Sequence, residues 1–300
     1  VQSSTKNFRR QKKGDPMKNH RPSKFPVMIT VVLLCLACVL ENALADNQWD
    51  FTVGGGFYRD SVYAGSDDFY VVPVPIARAS YARGNLSFYL SLLNGIGVSW
   101  FNEEKGLTAS TSVRYGQERD SREYSLMGIM AVHSERTKRL LADTPTASAP
   151  VVYDATISCR ALKGTIEASV EWYPTSVDYH LAGQQDRDFN GLIYSLFYSL
   201  EDRLTERYLF SGKVGVQFMN QGYADAWYTV RYLTAELDAF AADAGLADAK
   251  LSFQVTRMFS EKAGVSLLGT ATLFMADAGT SPYTTEKFQP ATLLFAFYNF

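Results

Sequence analysis

The residues best suited to chemistry lie in two short runs, His133-Ser134-Glu135 and Asp178-Tyr179-His180. Between them they hold the types a serine hydrolase uses: a base, a nucleophile and an acid to orient the base. A triad is a spatial arrangement that adjacent residues do not supply, so the plainer reading is two solvated loop segments. Cys159, the one cysteine after residue 45, has no ligand spacing to either histidine, which leaves the pattern of a transition-metal centre unfilled. Asp60, Asp67 and Asp68 offer loop carboxylates to Ca²⁺, although an acidic loop is more often simply solvated. Gly54-Gly55-Gly56 imitates a phosphate loop with no helix behind it to present an N-terminus. No catalytic, cofactor-binding or metal-ligating set is expected, and the chain is read as a non-enzyme.

A second group of charges does follow a pattern. Arg114, Asp154, Arg160, Lys163, Glu167, Glu171 and Lys213 alternate with apolar residues along short segments. In 153–162, Tyr153, Ala155, Ile157, Cys159 and Ala161 take one side, and Asp154, Thr156, Ser158 and Arg160 take the other. The segment 163–173 swaps parity, with Ile166, Ala168, Val170 and Trp172 opposing Lys163, Glu167 and Glu171. Charges confined to one face suit a barrel with lipid outside and water inside. There they serve either as an ion-paired network that plugs and stiffens the lumen or as the lining of a narrow solute pore.

The elements that must carry these residues are strands. After residue 45 no apolar run approaches the length of a spanning helix, and period-two alternation recurs along the chain. Strands are expected near 51–58, 70–82, 85–92, 96–101, 107–116, 153–162, 165–173, 190–200, 208–219, 248–258, 264–275 and 290–300. The fold class is therefore all-β, a transmembrane antiparallel up-and-down barrel of about 12 strands. Leu126, Gly128, Met130 and Val132 could add a strand over 123–133, which keeps 10 or 14 strands open. An even count sorts the connections by length. Short turns at 83–84, 102–106, 163–164, 201–207 and 260–263 fall in the periplasm. Longer loops at 59–69, 117–152, 174–189, 220–247 and 276–289 fall outside, with Asn94-Gly95 as the one short external turn.

The first 45 residues differ in kind. Lys18, Arg21 and Lys24 precede an apolar run from Val27 to Leu40 and a small-residue Ala43-Leu44-Ala45 site, the plan of a cleavable secretory signal. The domain division expected is a leader over 1–45, with Met17 as the natural start, and a barrel over 46–300. Removing the leader leaves 21 basic against 29 acidic residues, a net charge of −8 that gives no footing for nucleic acid. One remaining cysteine rules out an intramolecular disulfide framework.

Tyr298 and Phe300, with Leu294 before them, make an aromatic-terminated last strand, read as a candidate barrel-assembly signal. Several blocks also occur in a recognisable order. They are Gly54-Gly55-Gly56-Phe57-Tyr58, the run from Tyr63 to Tyr70, Pro73-Val74-Pro75 and Asn94-Gly95-Ile96-Gly97-Val98. Further on come 222–230, 244–248 and 277–282. Through these the chain resembles the MipA/OmpV (MltA-interacting protein) family, while 117–152 departs from the family pattern. The resemblance implies a Gram-negative outer-membrane barrel in contact with outer-membrane lipid. It also implies a scaffold that brings a murein lytic transglycosylase and a penicillin-binding synthase together in the cell envelope, and it transfers no catalytic residues. A surface adhesin or binding protein and a narrow small-solute pore are the alternatives.

Overall fold

The computed structural model describes residues 49–116, 118–119, 144–179, 185–231 and 237–300. The expected leader, the stretch 123–133, His133 and His180 lie outside the described residues. Alternation builds fourteen strands: β1 (Trp49–Ser61), β2 (Phe69–Arg83), β3 (Leu86–Ser91), β4 (Gly95–Asn102), β5 (Leu107–Tyr115), β6 (Glu118–Arg119) and β7 (Thr146–Ser148). The remainder are β8 (Val151–Ala161), β9 (Gly164–Asp178), β10 (Arg187–Arg203), β11 (Tyr208–Met219), β12 (Gly245–Met258), β13 (Ala263–Phe274) and β14 (Phe288–Asn299).

Twelve of these close a barrel. Each is antiparallel to its neighbours, and β1 pairs both with β2 and with β14, so no edge is left open. β6 and β7 are outward continuations of β5 and β8 past breaks at Gly116 and Ala149-Pro150, and β7 pairs with the far end of β9, Thr146 opposite Asp178. The two extra strands therefore lengthen one hairpin and leave the count around the ring at 12.

The register fixes which face is which. Val53, Phe57, Ile96, Val113, Ile157, Ile166, Leu196, Val214, Leu251 and Leu294 are exposed on the outer wall, an apolar surface that only lipid can cover. Aromatics gather toward its two margins. Phe69, Tyr115, Tyr153, Trp172, Tyr194, Phe218 and Phe288 lie toward the long-loop end, and Trp100, Tyr208, Tyr298 and Phe300 toward the short-turn end. This is the girdle arrangement of an outer-membrane barrel. Cys159 is exposed on the same wall. The seam needs glycine. A Cβ at Gly54 would lie 2.2 Å from the Ala296 carbonyl oxygen, and one at Gly56 would lie 2.1 Å from that of Leu294.

Several connections differ from the sequence reading. β9 runs on to Asp178 and β10 begins at Arg187, so half of the expected loop 174–189 is strand. Leu162 and Lys163 form the β8–β9 turn, with Gly164 already paired to Ala161. The connection after β11 contains a helix, α1 (Gln221–Trp227), and a second short helix, α2 (Ala276–Thr280), follows β13. Asn220 starts α1. Its Oδ1 accepts from the Tyr223 N–H at 2.9 Å and the Leu192 N–H at 2.8 Å, and its Nδ2 donates to the Asn190 carbonyl at 3.0 Å. One side chain thus caps the helix and pins it to β10. The main core lies here, at the outer end of the lumen. Tyr173, Val177 and Ile193 of the wall pack on Tyr223, Ala224, Trp227 and Tyr228 around α1, with Phe274 and Ala278.

Candidate functional site

The inward-facing residues below this cap enclose a cavity of about 530 Å³. Tyr58, Tyr70, Tyr173, Tyr223 and Tyr228 supply aromatic wall, and Asp60, Arg114, Glu171, Asp248 and Lys250 supply charge. Tyr223 and Tyr228 come from α1 and its C-terminal end, and the others from strands far apart in sequence, brought together because alternation sends every second residue inward.

Some of the expected lumen charges meet in pairs. Arg114 Nη2 donates to Glu171 at 2.6 Å and to the Tyr173 hydroxyl at 3.3 Å, and that hydroxyl donates to the same carboxylate. Lys213 Nζ donates to Glu167 at 2.7 Å and stands 4.4 Å from the Phe197 ring centroid. Asp154 faces inward and accepts from the Thr156 hydroxyl at 3.1 Å. Arg160 and Lys163 are not gathered into these pairs. Both are exposed, Arg160 at the short-turn end of β8 and Lys163 in the turn itself. Tyr298 and Phe300 face outward with ring centroids 5.1 Å apart, and the Phe300 N–H donates to the Phe51 carbonyl at 2.9 Å. Asp60 accepts from the Tyr58 hydroxyl within the lumen, whereas Asp67 accepts from Thr285 at 3.1 Å, so the three aspartates considered for Ca²⁺ do not share one set of partners.

The residue that pins β6 to the cap had no sequence signal. Arg119, only 3% exposed, reaches from β6 to the end of α1, where it donates to the Trp227 carbonyl at 2.6 Å and the Ala226 carbonyl at 3.4 Å. A cation at a helix C-terminus is the favourable end for its charge. Its guanidinium also lies 4.2 Å from the Tyr283 ring centroid and 5.8 Å from that of Trp227. Burial pushes the Tyr283 hydroxyl above its ordinary pKa, and the Arg119 charge acts in the opposite direction. Val62, Tyr63, Val230, Leu237 and Tyr283 form a second buried cluster in the cap. Arg119 sits in what reads as a featureless loop, one arginine among several there, with no periodicity to single it out.

Among known proteins, the family profile described as MltA-interacting protein MipA matches residues 53–300. No curated protein sequence matches the chain. Solved structures similar to it include outer-membrane expressed OmpT of Vibrio cholerae, 6% identical over 84% of this chain and 97% of that one, with a TM-score of 0.32. The Pseudomonas putida toluene transporter TodX is 10% identical over 85% and 89%, with a TM-score of 0.33. The translocator domain of the autotransporter NalP from Neisseria meningitidis is 7% identical over 92% and 97%, with a TM-score of 0.38.

Proposed function

The chain belongs to the MltA-interacting protein MipA family of bacterial outer-membrane barrels, and from that premise we propose that it is a non-enzymatic scaffold. It holds a murein lytic transglycosylase, and through it a penicillin-binding synthase, at the periplasmic face of the outer membrane. Tyr298 and Phe300 serve barrel assembly in this reading.

The observation that carries the reading is a row of apolar turn tips on the short-turn rim, in a family described by its interaction with MltA. Hairpins β8–β9, β10–β11 and β12–β13 follow one another around the barrel, and their tips present Leu162, Leu204 and Phe259 to water. Leu162 is 94% exposed and has φ of 55°, a left-handed conformation that costs a leucine about 1–2 kcal/mol. The two-residue hairpin turn accounts for the positive φ, usually met by Gly or Asn, but a fully exposed leucine side chain there does nothing for the barrel, and a protein partner would give it a use. Lys163, Arg203, Arg207 and Lys262 are exposed around these tips. At the opposite end the packed cap supports the same division of labour, with the barrel as a holder.

The test is binding of a purified lytic transglycosylase to the barrel in lipid nanodiscs. Replacing Leu162, Leu204 and Phe259 together by Asp is expected to weaken binding by at least about tenfold, since apolar anchors dominate such interfaces. Affinity unchanged by all three substitutions would overturn the reading.

A further inference from the structure

The lumen charges are not all used. Glu171 is taken up by Arg114 and Tyr173, and Asp60 by the Tyr58 hydroxyl and the Ser61 N–H. Asp248 is different. It is 6% exposed, lines the cavity, and its Oδ1 has no hydrogen-bond partner. Lys250, two residues along on the same inward face of β12, also lines the cavity and makes no ion pair among the described residues. A buried carboxylate oxygen without a donor costs about 1–3 kcal/mol or more. At a cavity wall such an oxygen is free to accept from a donor that a ligand brings.

We propose that the cavity binds a small zwitterion, a free amino acid or a short peptide, with its ammonium on Asp248 and its carboxylate on Lys250. Residues two apart on a strand have Cα atoms about 7 Å apart, so the two charges offer separate seats for the two ends of one short molecule. Tyr223 and Tyr228 line the same cavity as Asp248, and aromatic walls beside a carboxylate are surroundings an ammonium prefers. Trp227 Nε1, buried on the same wall without a partner, adds an unused donor. The volume of about 530 Å³ falls within the range of small-molecule sites. A sugar would bring no charge to either seat, and a simple anion or cation would satisfy one seat only. This inference does not depend on the scaffold reading.

The experiment titrates the purified barrel in detergent with alanine and dialanine by calorimetry. N-acetylalanine, alanine amide and glucose serve as controls. Saturable binding of alanine or dialanine is expected, weakened at least about tenfold by acetylating the ammonium or amidating the carboxylate. Asp248→Asn and Lys250→Met are each expected to weaken it by a similar factor. If either variant fails to fold, the ligand controls alone decide. Absence of zwitterion binding, equal binding of the blocked ligands or of glucose, or affinity indifferent to both substitutions in folded protein would overturn the proposal.

Discussion

Arg119 shows how much can hang on one side chain. It satisfies two carbonyls at the end of α1 and packs against two rings, all out of water. Arg119→Ala should therefore leave buried acceptors empty and loosen the cap by about 1–3 kcal/mol. Hydrogen exchange of the amides of 221–231 should quicken while the barrel strands stay protected; unchanged exchange in the cap would contradict this role. The lumen charges fared otherwise in the sequence. Alternation alone sends Arg114, Glu167, Glu171 and Lys213 inward, since parity is a local property. Their pairing was not legible, because Arg114 meets Glu171 and Lys213 meets Glu167 through strand register set by the whole ring. Asp248 and Lys250 were passed over for the same reason: in β12 they look like ordinary inward residues until the cap closes a cavity around them.

Among the elements, β1 and β14 form the seam on which closure depends. Gly54 and Gly56 let β14 approach where a side chain would meet carbonyl oxygens. Gly56→Val should stop or severely slow closure, measured as loss of the compact, SDS-resistant band on unheated gels; a normal band would show that the seam can move aside. Most strand positions were legible because one face meets lipid and the other water, which forces a strict period of two. The ends of β9 and β10 were not. Beyond the outer-wall aromatics one face stays buried, at Tyr173, Thr175 and Val177, but the other carries exposed Ser176 and Asp178, and the lipid constraint that makes that face apolar no longer applies. Helix α1 was missed because it spans seven residues and most of it is buried, leaving no polar stripe to read; the Asn220 cap was the one local signal.

For the whole molecule, the sequence carried the barrel and its 12 strands because an even count, the length-sorted turns and the outward apolar residues agree with one another. It did not carry the packed cap at the outer end, which is assembled from β6, α1, α2 and the connections around Tyr63 and Tyr283. The two ends of the barrel therefore differ in kind: a packed cap at one, and a rim of short turns with exposed Leu162, Leu204 and Phe259 at the other. The central claim is that this rim is the working surface. Its most direct test is in-cell photo-crosslinking from positions 162, 204 and 206 on the rim, with Glu286 on the cap side as the control. The account predicts capture of a lytic transglycosylase from the rim and none from Glu286. Capture from Glu286 alone, or from neither end, would contradict it.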